Sequence, residues 1–201
     1  VVDARVAAGG SYCAGLVGGC IRNHLLGRGV DDIDIATRLQ PQETMAALKA
    51  ARLRAIPTGI EHGTVTALSG GRAYEITTLR HDVGSNRPHP VVASTDDWEA
   101  DARRRDFRLN ALYADRHGEI FDPAGTGVAD AKAGRIIFMG DPATRIAEDH
   151  LRILRFFRFY AWYGKGPADA EALAACTAHR ETLRSLAAER TSKELLKLLA
   201  A

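Results

Sequence analysis

The sequence predicts an α+β protein: a small mixed β-sheet with helices over residues 1–138, then an all-helical segment over residues 139–201. Three observations carry this. In the first part, short apolar runs bounded by glycine and proline alternate with helical patterns. Residues 63–68 and 73–79, separated by Ser69-Gly70-Gly71, read as a β-hairpin with a three-to-four-residue loop. After Gly140-Asp141-Pro142 nearly everything is helical, with short breaks near 164–167, so the boundary is placed there.

Taken in order, residues 3–8 read as a short helix that Gly9-Gly10 stops. Residues 13–17 form a strand leading into the Gly18-Gly19 turn, and residues 22–26 read as helix. A strand over 32–36 follows. Pro41-Gln42-Glu43 then opens a helix to about residue 51, with proline in its first turn. In the second hairpin strand, Glu75, Thr77 and Leu79 share one face. Residues 84–90 hold Gly, Ser, Asn and two Pro, a flexible loop by composition. Residues 96–114 read as helix carrying Arg103-Arg104-Arg105-Asp106-Phe107, and residues 122–127 as a second loop. No internal repeat or low-complexity tract interrupts the chain.

Composition excludes several classes. With 201 residues, 46% apolar and 26% charged, the chain suits a soluble globular protein of one or two domains. Its net charge is +2, yet 22 of 27 basic residues are Arg, and ten Arg fall between Arg103 and Arg158. Arg forks match phosphates and base edges better than Lys point charges do. No apolar run approaches the ~18 residues of a membrane span, and no signal peptide opens the chain. The missing initiator Met predicts a processed or trimmed chain. Cys13, Cys20 and Cys176 lack C-x-x-C spacing and read as reduced thiols of a cytoplasmic protein. Neither G-x-G-x-x-G nor G-K-[ST] is present, which excludes dinucleotide-fold and P-loop enzymes.

The chemistry gathers at Asp32-Ile33-Asp34. In an extended strand the two carboxylates leave the same face while Ile33 and Ile35 turn to a core. Adjacent anionic oxygens suit Mg²⁺ when substrate phosphates fill its other positions. Gly18 and Gly19 permit a turn whose backbone approaches a ligand closely, and the helix after them offers its first amides to an anion. A lone D-x-D is also common in turns, and a double glycine is often a turn and nothing more.

The chain resembles the class II tRNA nucleotidyltransferase and bacterial poly(A) polymerase family, within the polymerase-β-like nucleotidyltransferases. The resemblance rests on Val17-Gly18-Gly19-Cys20-Ile21-Arg22, Asp32-Ile33-Asp34-Ile35-Ala36-Thr37 and His62-Gly63-Thr64-Val65. It continues through Tyr74-Glu75-Ile76-Thr77-Thr78-Leu79-Arg80, Arg104-Arg105-Asp106-Phe107 ahead of Asn110, and Glu148-Asp149 ahead of Arg152, Arg155 and Arg158. These motifs cover nearly the whole chain. The resemblance implies a polymerase-β-like nucleotidyltransferase head over 1–138 and a helical neck over 139–201. It implies Asp32 and Asp34 as ligands of catalytic Mg²⁺ and Glu75 as a third catalytic carboxylate. It further implies that Gly18, Gly19, Arg22, Arg105, Asp106 and Asn110 bind nucleotide. Asp149, Arg152, Arg155 and Arg158 would form a base-reading helix. Two positions depart from the family: Asn23 stands where Asp is commoner, and Arg108 replaces a usual Thr, adding charge and bulk near the ribose.

The implied activity is template-independent addition of C and A to tRNA 3′ ends from CTP and ATP. A carboxylate accepts and a guanidinium donates, so Asp149 and Arg152 together fit the amino-plus-ring-nitrogen edge that cytosine and adenine share. Uracil and guanine present the reverse. Poly(A) polymerase is the alternative, and a truncated nucleotide- or RNA-binding module is a third reading. The resemblance leaves oligomeric state open. The C-terminal run Glu194-Leu195-Leu196-Lys197-Leu198-Leu199 reads as an amphipathic helix without a covering partner, which predicts self-association.

Overall fold

The computed structural model describes residues 13–83 and 91–201. The helix expected at 3–8 and the loop expected at 84–90 lie outside the described residues. Strand β1 (Ala14–Val17) runs through Gly18 into helix α1 (Gly19–Leu25), which starts three residues earlier than predicted. Strand β2 (Asp34–Thr37) and helix α2 (Pro41–Ala50) follow. Pro41 sits in the first turn of α2, and Gln40 and Glu43 form a capping box, with Glu43 Oε2 accepting from the Gln40 amide at 2.8 Å.

Strands β3 (Arg54–Gly59), β4 (Thr64–Ser69) and β5 (Arg72–Thr78) form an antiparallel meander. The β4–β5 connection is the two residues Gly70-Gly71, tighter than predicted. Both have positive φ, 57° and 75°, the combination whose twist matches a two-residue hairpin. Strands β6 (Arg80–Val83) and β7 (Val91–Ser94) pair as a separate ribbon. With β8 (Tyr113–Ala114) and β9 (Ile120–Phe121), the main sheet among the described residues runs β3-β4-β5-β2-β1-β8-β9. Its β2–β5 pair is parallel and its other neighbours are antiparallel.

Strand alternation gives the sheet two faces. Ile35 and its register partner Ile76 are buried with Val65, Ala67 and the α2 residue Leu48. Ala36 and Leu79 belong to the other side, with Val17, Tyr113 and Ala102 of helix α3 (Trp98–Arg103). The sheet thereby separates an apolar layer from the face on which Asp34 stands.

The helix predicted over 96–114 is broken. Helix α3 ends at Arg103, and a 3₁₀ turn at Arg108–Asn110 leads to β8. Asp101 draws in Arg104 and Arg105, while Asp106 Oδ1 accepts from the Phe107 amide at 2.8 Å. The Asp101 pairs suit the last turn of α3, whereas the Asp106 bond to a backbone amide competes with helical bonding. Burial of Phe107, Leu109 and Leu112 then holds the irregular path.

Helices α4 (Gly127–Ala133), α5 (Pro142–Glu148), α6 (Arg152–Tyr163), α7 (Ala170–Ala178) and α8 (Ala188–Leu199) complete the chain. One core joins both sides of residue 138: Phe107, Ile136 and Phe138 pack with Ile146, Ile153, Phe156 and Phe159. The Phe107 ring lies 4.8 Å from Phe138 and 5.1 Å from Phe159, centroid to centroid. Helix α8 meets α6 through buried Glu194, which accepts from Arg158, and leaves Leu199 81% exposed. All three cysteines are free and buried, and burial pushes the Cys176 thiol up to about 11. No helix among the described residues is long and apolar enough to cross a membrane.

Candidate active site

Asp34 and Glu75 are register partners across the parallel β2–β5 pair, so their carboxylates leave the same face. Alternation predicted Asp32 within the strand, but β2 begins at Asp34, and Asp32 lies in the irregular approach with Ile33 between them. The three still form one electrostatic group. Desolvation holds the Asp34 carboxyl above its ordinary range, the Glu75 charge adds to this, nearby Arg105 opposes it, and Asp32 adds again.

A hard divalent cation fits this set. Its donors are all carboxylate oxygens, and a bound cation relieves the repulsion that raises Asp34. Among the described residues, no three or more His, Cys, Asp and Glu side chains close into a metal cage. An ion held here takes one or two carboxylates and completes its shell from phosphate and water, the usual habit of Mg²⁺.

Gly18 forms the wall beside this group. Its φ of 77° and ψ of −123° suit glycine, and its amide donates to Leu112 O at 2.9 Å. A Cβ there would sit 3.5 Å from Asn110 O and 3.6 Å from Arg105 Nη1. Both are ordinary contact distances, so the positive φ, and not a clash, is what calls for glycine here. Gly19 starts α1 beside the Arg22 side chain.

Arg105 is held from behind. Its Nη2 donates to Asp101 Oδ2 at 2.9 Å and its Nε to Tyr113 Oη at 3.2 Å, while Tyr113 donates to Asp101 at 2.7 Å. Burial would raise the Asp101 carboxyl, but Arg105, Arg104 and the Tyr113 hydroxyl hold it at about 2. Burial pushes the Tyr113 hydroxyl up. Arg105 is left with Nη1 facing the glycine turn, a fixed cation beside the carboxylates.

Arg22 points inward and is 7% exposed. It donates to Asn110 Oδ1, to Asn23 Oδ1 at 2.9 Å, and to Tyr163 Oη of α6 at 2.8 Å. Asn110 in turn donates to Asp106 Oδ1 at 3.1 Å, and Asp106 Oδ2 accepts from Arg155 Nε at 2.8 Å. Arg22, Asn110, Asp106 and Arg155 therefore form one buried chain from α1 to α6. Burial lowers the Arg22 affinity for its proton; Asp106, despite its burial, is held below the ordinary carboxylate range by Arg155 and Asn110.

The remaining predicted residues do not share one helix. Asp149 caps α5 with extended angles, φ −153° and ψ 104°, and its Oδ1 accepts from the Leu151 amide at 3.2 Å. Helix α6 starts afresh at Arg152. Asp149 pairs with Arg190 at 2.7 Å, and Arg152 pairs with Glu148 at 2.5 Å and donates to Arg104 O at 3.2 Å. Arg158 pairs with Glu194 and stacks 4.3 Å over the Phe159 ring. The Arg108 guanidinium is directed to Thr126 and Asp130, toward α4.

Asp101, Tyr113, Arg145 and Tyr163 were missed from the sequence. Asp101 had a visible signal, since Arg104 and Arg105 follow at i+3 and i+4. Arg145 caps the Arg105 carbonyl at 2.9 Å, and Tyr163 meets Arg22 across 141 residues; neither contact has a local pattern.

Residues 14–137 match the poly A polymerase head domain family. A CCA-adding enzyme from Levilactobacillus brevis is 42% identical over 191 residues, covering 94% of this chain and 46% of that protein. A mitochondrial CCA tRNA nucleotidyltransferase 1 from Danio rerio is 37% identical, over 92% of this chain and 43% of its own length. The chain thus spans about half the length of the curated relatives it matches. Among solved structures, the Bacillus stearothermophilus CCA-adding enzyme in complex with CTP superposes with a TM-score of 0.85 at 32% identity, covering 98% of this chain and 46% of that one. The carboxylate group on β2 and β5, the glycine turn and the match over 14–137 agree, and the chain belongs to the tRNA nucleotidyltransferase and poly(A) polymerase family, whose head domain it carries.

Proposed function

We propose that this chain is the nucleotidyltransferase head (1–138) and helical neck (139–201) of an enzyme that adds C and A to tRNA 3′ ends from CTP and ATP. The observation that carries this reading is the Asp34–Glu75 pair, with Asp32 beside it, facing the Gly18 turn and Arg105. The CCA-adding relatives support the tRNA end as substrate and CTP among the nucleotides.

Asp32 and Asp34 would hold Mg²⁺, with Glu75 as the third carboxylate. A metal held by Asp32 and Asp34 would supply charge that lowers the pKa of the attacking hydroxyl and offsets that of departing pyrophosphate. The Gly18 backbone lets phosphate oxygens approach closely, and Arg105 Nη1 donates to them. Its other nitrogens stay fixed on Asp101 and Tyr113, so it donates with little reorganisation. Asp106 and Asn110 orient the sugar side of the site, braced by Arg155 and Arg22. Asp149 accepts from the base amino group and Arg152 donates to the ring nitrogen. Those two groups bond Arg190 and Glu148 in this structure, so base reading entails an exchange of partners. We place the activity in the cytoplasm, a reducing compartment suited to three free thiols.

Poly(A) addition is the second reading, favoured by the head-domain match itself. One gel decides. Labelled tRNA lacking its CCA end is incubated with Mg²⁺ and with each nucleotide alone and combined. Two additions with CTP alone and one more with CTP plus ATP establish CCA synthesis. Long ladders with ATP alone establish poly(A) synthesis, and no extension at all favours a binding module.

A further inference from the structure

The C-terminal end of α6 grips the segment that leads to the carboxylates. Tyr163 lies beneath two cations: the Arg22 guanidinium at 4.1 Å and the Arg28 guanidinium at 4.7 Å from its ring centroid. Its hydroxyl accepts from Arg22 Nη2 at 2.8 Å and donates to Asn23 Oδ1 at 3.4 Å. Arg28 also donates to the carbonyl of Trp162 at 2.7 Å. Asn23 Nδ2 donates to Gly29 O at 3.1 Å, and the Arg28 amide to Asn23 O at 2.9 Å. Residues 28–33 have no strand or helix of their own, and Asp32 lies among them. Asn23 and the Trp162–Tyr163 pair hold the start of this segment at residues 28–29, and Val30 and Ile33 pack against the cluster of Cys20, Ile21, Leu112 and Ala114.

We propose that Tyr163 is a positioning residue: acting through Arg28 and Asn23, it fixes the segment that presents Asp32, and so ties α6 to the carboxylate group. The proposal rests on the reading of Asp32 and Asp34 as metal-holding residues. Arg22 is buried and Arg28 exposed, and two cations stacked on one ring together with charged hydrogen bonds are enough for that residue to matter here. Cys20 and Ile21 of α1 help seat Val30 and Ile33, but Asp32 lies seven residues beyond Leu25, the last residue of α1, and the polar bonds of Tyr163, Arg28 and Asn23 hold the start of the segment.

The test compares Tyr163→Leu, Tyr163→Phe and, on the same helix, Tyr160→Leu, with two readouts. The first is the Mg²⁺ dependence of nucleotide addition. The second is amide hydrogen exchange over residues 28–33. Tyr163→Leu is expected to raise half-saturating Mg²⁺ by about tenfold and to speed exchange in the segment, whereas Tyr163→Phe, keeping the stacked ring, raises it by about twofold. Tyr160→Leu removes core packing and a bond to Gly166 O, lowering the melting temperature while leaving both readouts unchanged. Overturning results are Tyr163→Leu with parental Mg²⁺ dependence and exchange, or Tyr160→Leu with the same shifts as Tyr163→Leu. Absence of nucleotide addition by the parent chain instead overturns the metal-site reading, and the exchange readout still decides whether Tyr163 holds the segment.

Discussion

Arg155 reaches from α6 to Asp106 in the head and clasps one carboxylate oxygen through two nitrogens, Nε at 2.8 Å and Nη2. The other Asp106 oxygen takes the Phe107 amide and Asn110, so the buried carboxylate is fully bonded. A residue named for nucleotide contact thus has a structural task as well, joining the two parts of the chain.

Arg155→Met should therefore cost stability before it costs chemistry. Removing one partner of a buried pair strands the other charge, typically a loss of about 3 kcal/mol. Arg155→Met/Asp106→Asn removes the charge on both sides and should recover at least half of that loss. Urea unfolding of the single and double variants checks it; a double variant no more stable than the single contradicts it.

Acid should unfold the protein through its depressed carboxylates. Asp101 falls from an ordinary 3.8 to about 2 in the folded state, and Asp106 also shifts downward. A depressed folded pKa contributes stability that is complete above the unfolded value and is lost as pH falls from about 4 through about 2. Asp101→Asn should lower stability at neutral pH by roughly 2 kcal/mol and flatten the acid limb of the curve. An unaltered acid limb in this variant would show that the Arg104–Asp101–Arg105 cluster contributes nothing.

Base choice should depend on Asp149. Losing a hydrogen bond to a charged group costs on the order of 1.5–3 kcal/mol, roughly tenfold to a hundredfold in discrimination. Asp149→Ala should slow CTP and ATP use and raise the relative acceptance of UTP and GTP, with Mg²⁺ dependence unchanged. The Arg190 pair suggests the competing outcome, a less stable protein that loses equally with all four nucleotides. Comparison of kcat/KM for the four nucleotides with Tm separates them.

What could be read from the sequence was mostly local. Asp34 and Ile35 on opposite faces of β2, Pro41 opening α2, and Gly18 before a helix each follow from chemistry within a few residues, whereas the same alternation wrongly extended the strand back to Asp32. The 96–114 stretch misled because its apolar spacing looks helical, while Asp106 bonds a backbone amide and Phe107 is claimed by a core with Phe138 and Phe159. The even spacing of Asp149, Arg152, Arg155 and Arg158 likewise hid a helix break, because Asp149 caps α5 and Arg152 begins α6. Arg22 turning inward to Tyr163 depended on a contact 141 residues away, which no local pattern carries.

The central claim is that Asp32 and Asp34 hold the metal of a nucleotide-adding site, with Glu75 as the third carboxylate beside them. Its most direct test is the rate of CTP incorporation into tRNA lacking CCA by Asp34→Asn and Asp32→Asn, measured beside Tm over a Mg²⁺ titration. Both variants should fold with unchanged or higher Tm, because each removes one of three crowded charges. Both should lose at least about a thousandfold in rate at any Mg²⁺ concentration, since the metal supplies most of the charge stabilisation. Near-parental incorporation by either well-folded variant would contradict the account.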